Sequence, residues 1–227
     1  MPGSEAEEEI RAAVVDRLRE LMPKARIIHE LNTSGTGSLR VDLAAVDDET
    51  IIGVEIKSER DTLSRLQRQW DVFNRTFHET IVVAHRKHWN EAGDRLEHDL
   101  SRKSSVFLAT WMYPKPVTDA GFYRAGRWNL PKAWRWSHSR PEQPRAANLL
   151  QMLWRDELKA ECSKHQISVT SRATRTVMIG EMVWLMTGRE ICQAVCRQLR
   201  QRDFARADPP ITEGKSEQVE HEPELPI

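Results

Sequence analysis

The stretch Leu39–Lys57, L-R-V-D-L-A-A-V-D-D-E-T-I-I-G-V-E-I-K, constrains this chain more than any other. It reads as two neighbouring strands, Leu39–Val46 and Ile51–Lys57, joined by the acidic turn Asp47-Asp48-Glu49-Thr50. Alternation along the second strand points Glu55 and Lys57 one way and Val54 and Ile56 the other. Asp42, flanked by Val41 and Leu43, comes close to Glu55 across the hairpin. Two carboxylates and an amine on an otherwise apolar sheet need compensation. A divalent cation compensates: hard ions such as Mg²⁺ take carboxylate oxygens and keep waters, and an activated water beside a lysine suits phosphodiester hydrolysis. The competing reading is a surface salt bridge between Lys57 and a carboxylate.

Asp42, twelve intervening residues and Glu55-Ile56-Lys57 resemble the PD-(D/E)xK nuclease superfamily of restriction-endonuclease-like fold, with Val41 in place of its usual proline. The resemblance implies that Asp42, Glu55 and the carbonyl of Ile56 hold Mg²⁺ or Mn²⁺ and that Lys57 positions or deprotonates the attacking water. It also implies a further acid, for which Glu9 in the first helix and Glu30 on the adjoining strand are the alternatives; a solvated Glu9 is the plainer one. Gln69-Trp70-Asp71-Val72-Phe73 is similar to the Gln-x-x-x-Tyr of recombination exonucleases, with Phe for Tyr, so Gln69 either supports the site or faces solvent. The runs V-E-I-K-S-E-R-D-T-L-S-R-L-Q-R-Q, V-V-A-H and L-W-R-D-E-L together look like a small, largely uncharacterised bacterial and phage family of that superfamily. That likeness extends from Glu9 to about Arg202 and implies a nuclease acting on nucleic acid, with DNA the expected substrate. A catalytically inactive binding module, or a partner-regulated defence or toxin-type effector, is the alternative on the same fold.

The 227 residues suffice for one packed domain and a smaller appendage. Formal net charge is zero, but a tail rich in acids after Arg206 leaves the remainder modestly basic. No apolar run reaches membrane-spanning length and the N-terminus is acidic, so a cytoplasmic protein with no membrane partner is expected. Cys162, Cys192 and Cys196 lack CxxC spacing and read as buried thiols, not as a disulfide framework or, with His165, a zinc site.

Along the chain the pattern predicts a helix from Ser4 to Leu21 with Ile10, Val14, Leu18 and Leu21 inward, then a strand Arg26–Leu31. The loop 32–38 lacks the phosphate-binding glycine pattern. A helix capped by Asp61 or Thr62 buries Leu63, Leu66, Trp70, Phe73 and Phe77, and Thr80–His85 is a strand covered on both faces. A basic segment His85–His88, a helix near Trp89–Leu100 and a strand Ser105–Thr110 follow. The expected organisation is an α/β nuclease-like core (1–110), a central mixed sheet flanked by helices. Then come a Trp- and Pro-rich connection (111–145), a helical appendage (146–205) and a disordered acidic tail (206–227). The connection, with aromatics among cations, suits either base stacking or packing over the domain. In the appendage Leu149, Leu150, Leu153, Trp154 and Leu158 form one stripe, and a second helical region, about Val177–Leu199, is broken near Gly188. Its helices should dock on the core or on a second copy of the chain, a homodimer. Its Arg172, Arg175, Arg197, Arg200 and Arg202 offer a second candidate DNA-contacting surface.

Overall fold

A computed structural model describes residues 5–34, 39–89, 91, 96, 109–113, 123–125 and 146–212. The chain opens with helix α1 (Glu5–Leu21), then strands β1 (Arg26–Asn32), β2 (Arg40–Val46) and β3 (Ile51–Lys57). Helix α2 (Leu66–Thr76) leads to β4 (Glu79–His85), a 3₁₀ turn Arg86–His88, and strands β5 (Ala109–Tyr113) and β6 (Tyr123–Ala125). Four helices close the described chain: α3 (Ala146–Leu150), α4 (Arg155–Lys164), α5 (Arg175–Leu185) and α6 (Gly188–Gln201).

The architecture is α/β. One six-stranded mixed sheet has the order β1-β2-β3-β4-β5-β6. The first three strands and the β5-β6 pair are antiparallel, while β3, β4 and β5 run parallel. A parallel neighbour requires a crossover, and α2 supplies it between β3 and β4. Ile10, Val14 and Leu18 of α1 pack with Ile27, Leu43, Ala45, Ile52, Val54 and Ile56 on one face. On the other, Ile28, Val41, Ala44, Val46 and Ile51 share a core with Phe73 of α2, with Phe77 just past its end and with α3 to α6. The C-terminal helices thus dock on the core, the first of the two expected arrangements. They form a layer of the same domain, because the sheet's second face cannot be covered by α2 alone.

Local chemistry sets the helix ends. Thr187 caps α6, its hydroxyl accepting from the Glu190 amide while Glu190 accepts from the Thr187 amide, which breaks the helical region just before Gly188. Leu149, Leu150, Leu153 and Leu158 are buried as expected, whereas Trp154 departs from the stripe: it precedes α4, is largely exposed, and lies against the Arg202 guanidinium at 4.4 Å. The expected Asp61 or Thr62 helix cap is also corrected. Asp61 instead binds the Ser58 amide and hydroxyl at 2.7 and 2.6 Å, folding 58–61 into a turn, and α2 starts at Leu66.

The expected disorder from Arg206 onward is wrong for its first residues. Ala207 bridges Ile28 in antiparallel fashion, the His29 amide donates to Arg206 O at 3.0 Å, and the Asp208 amide donates to Ile27 O at 2.9 Å. Loop residues 35–38, most of 90–108, most of the Trp- and Pro-rich connection and the tail after residue 212 lie outside the described residues. Among the described residues no helix is long and apolar enough to cross a membrane. The three cysteines are buried and unpaired.

Candidate functional site

The β2-β3 ladder runs from Val46↔Ile51 to Leu43↔Val54 and stops there. Past that point the Asp42 side chain takes over: its Oδ2 accepts the Ile56 amide at 2.6 Å. On the other side of β2, His29 pairs with Leu43 and Leu31 with Val41, yet Leu43 and Val41 belong to cores on opposite faces of the sheet. The alternation resets at the pair between them, Glu30 and Asp42. Glu30 carries the reset in its backbone, with φ 55°, a left-handed conformation that costs a non-glycine residue roughly 1–2 kcal/mol. Sheet regularity is given up where the two acids sit.

Glu55 and Lys57 project together toward α2. Lys57 Nζ donates to Glu55 Oε1 at 2.7 Å and to Gln69 Oε1 at 3.0 Å, and Gln69 Nε2 donates to Glu55 Oε1. Glu55 is 3% exposed, and its second oxygen, Oε2, is buried without a hydrogen-bond partner. A buried carboxylate oxygen left bare is expensive in a finished fold and ordinary at a site awaiting a ligand. Burial pushes the Glu55 carboxyl above its usual range against the pull of Lys57 and Gln69. Asp42 is pushed well up, by burial first and then by the Glu55 charge, with the Ile56 amide and Arg11 opposing.

Glu30 does join Asp42, and so does an acid not foreseen, Glu7: ligand oxygens of Glu7, Glu30 and Asp42 lie within 4.8 Å of one another. Glu9, the first-helix candidate, is not in that group; it is exposed and accepts from the Tyr113 hydroxyl at 2.5 Å. Helical geometry explains the exchange, since Glu7 stands three residues before Ile10 and seven before Val14, on the face turned to the sheet. Arg11 was missed altogether. Its guanidinium is buried, with Nη1 donating to Asp42 O at 2.7 Å and Nη2 to Glu7 Oε1 at 2.7 Å and Glu30 Oε1 at 3.2 Å. The signal was there in the spacing: Glu7 and Arg11 are an i,i+4 pair, and Arg11 falls inside the apolar stripe.

The basic 3₁₀ turn lies next to the site. His88 Nε2 donates to Ser58 O at 2.9 Å, leaving Arg86 and Lys87 exposed. The arginines of the C-terminal helices are differently employed. Arg175 binds the Gln151 and Leu153 carbonyls, Arg197 pairs with Glu161, Arg200 with Asp48 and Arg202 with Glu157. Four of the five expected DNA-contacting cations are thus tied to the fold, and Arg172 is exposed.

Fold and site together define an α/β protein with a polar cluster of three acids, a lysine, an arginine and a glutamine, joined by Glu7, where two strands part. Residues 1–101, from α1 through β4 and therefore including every residue of that cluster, match the family model described as bacteriophage P4 protein cII. The chain is similar to that family over this portion. No curated protein and no solved structure gives a significant match.

Proposed function

We propose that this protein is a divalent-metal-dependent nuclease of restriction-endonuclease-like type, with DNA as its substrate. The observation that carries the reading is the bare, buried Oε2 of Glu55, held beside Asp42 and Lys57 where β2 and β3 separate. The donor set fits Mg²⁺ or Mn²⁺: two carboxylates and the Ile56 carbonyl are hard oxygen ligands, and no thiol or imidazole is among them. When bound, such an ion supplies Lewis acidity toward a phosphate diester and acidity to an attacking water.

The chain's own groups have separable tasks. Asp42 and Glu55 hold the ion, and Glu30, hydrogen-bonded to Arg11, stays on the far side of Asp42. Lys57 uses two of its three donors on Glu55 and Gln69, so the third is available to a phosphate oxygen or to the incoming water. Gln69 accepts from the ammonium and donates to the carboxylate it is paired with, fixing their orientation without adding charge. Arg86 and Lys87, exposed on the turn anchored to Ser58, are placed to contact backbone phosphates. Similarity to a bacteriophage protein family supports a phage setting for the activity.

The test is incubation of the full chain with single-stranded, duplex and branched DNA and with RNA, in Mg²⁺, Mn²⁺ or EDTA, beside Lys57→Ala. Metal-dependent cleavage lost in Lys57→Ala is expected. Binding of DNA without turnover in any metal would replace the nuclease by a binding module on the same scaffold.

A further inference from the structure

Three carboxylates within 4.8 Å of one another, from Glu7, Glu30 and Asp42, could hold a cation, but one is already there. The Arg11 guanidinium hydrogen-bonds the Glu7 carboxylate at 2.7 Å and the Glu30 carboxylate at 3.2 Å, and lies 3.9 Å from Asp42 Oδ1. Its position is not adjustable. The side chain is 2% exposed, Nη1 is committed to the Asp42 carbonyl, and Nε is buried without a hydrogen bond, 3.8 Å from Glu8. Arginine does not lose its proton in a protein, so this positive charge is permanent.

Glu55 stands outside that group. One of its oxygens is shared by Lys57 and Gln69, and the other is bare. The acids therefore fall into two halves joined by Asp42: a Glu7–Glu30 side neutralised from within, and a Glu55 side with an unsatisfied oxygen. We infer that Arg11 is a resident counter-ion filling the place a second divalent ion would take, so that the site binds a single Mg²⁺ or Mn²⁺ on the Asp42–Glu55 side. This rests on the nuclease reading and deepens it. A guanidinium fixed beside Asp42 repels any further cation on its own side, and Glu7 and Glu30, which it hydrogen-bonds, are not free to turn toward one. With one ion instead of a two-ion clamp, stabilisation of the leaving oxygen falls to the protein's own cations.

The experiment is calorimetric titration of Mn²⁺ into the full-length wild type, Arg11→Met and Arg11→Lys, each checked by circular dichroism. One ion per chain is expected for wild type and Arg11→Lys, and two for Arg11→Met. Should Arg11→Met be too unstable to titrate, its melting point is followed with Mn²⁺ concentration: a rise steeper than the wild type's supports the assignment, and an equal or smaller rise overturns it. A wild type that takes two ions, or an Arg11→Met that takes one or none, overturns it as well. A wild type that binds no Mn²⁺ overturns the nuclease reading itself.

Discussion

The Ile56 amide donates to the carboxylate of Asp42 at 2.6 Å, so the strand bearing Glu55 and Lys57 is tied to its neighbour here by a side chain instead of a backbone carbonyl. The bond serves geometry and does not require charge. Asp42→Asn retains an acceptor for Ile56 and should keep the fold, while removing an anion whose burial raises its pKa well above the ordinary value. For such a group the folded chain holds its proton to higher pH than the unfolded chain, so stability is present below the unfolded pKa and lost as pH rises through the folded one. Metal-free Asp42→Asn is therefore expected to be more stable than wild type at pH 7 by about 1 kcal/mol, with the gain vanishing under acid. Scanning calorimetry at several pH values measures it, and Mn²⁺ binding should be lost in the same variant.

Lys57 and Gln69 make separable contributions. Lys57→Met leaves Glu55 buried with only an amide for company, so the metal-free chain should lose stability, and metal-dependent cleavage should fall about 10²-fold or more. Gln69→Ala keeps the ammonium but frees its angle, for a loss of about tenfold. Single-turnover cleavage under saturating Mg²⁺ separates the two. Equal losses would mean that Gln69 does more than orient its neighbours.

His78 predicts an acid-side instability. Its Nδ1 accepts the buried Ile51 amide at 3.0 Å, which places the neutral ring's proton on Nε2, 3.4 Å from Cys192 Sγ. Burial lowers its pKa to about 4, from an ordinary value near 6.5. Stability from this group is complete above about pH 6.5 and is lost as pH falls toward 4, a span worth about 3 kcal/mol. His78→Asn preserves an acceptor for Ile51, and urea melts between those limits should show a flatter slope than wild type. His29, also held down to about 4, keeps part of the slope.

Gly53 is a packing requirement. A Cβ built there would lie 2.4 and 2.7 Å from Phe77 Cδ2 and Cε2, with the ring itself buried. Gly53→Ala is expected to destabilise by about 2 kcal/mol in chemical denaturation, and Phe77→Leu in the same chain should recover part of it.

Period and alternation were enough to find β3 with its bounds intact, β2 to within a residue, α1 and the inward set of α2. They also brought Asp42, Glu55 and Lys57 to one place, because strand alternation and hairpin register are local properties, whereas Gln69 was reached only through the exonuclease resemblance. What escaped depends on contacts across the chain. Choosing Glu7 over Glu9 needs the angle at which α1 crosses the sheet; Glu30 was within reach as a residue of the strand adjoining Asp42, but its left-handed backbone is announced by no residue type. Arg11 was marked by its place in the apolar stripe, but its role takes shape only once acids from two strands surround it. Arg197 and Arg202 likewise look like surface charge until Glu161 and Glu157 are seen against them.

The short pairing of 206–208 along β1 bears on how the chain behaves in company. A sheet margin with bare amides and carbonyls is a template on which another molecule's strand can grow. Here the chain lays its own segment over Ile27–His29 and pins it through Arg206 to Glu8 and Asp208 to Arg19. A version ending at Ala205 would uncover that template, and its fault would be self-association on storage, visible as early-eluting species in gel filtration.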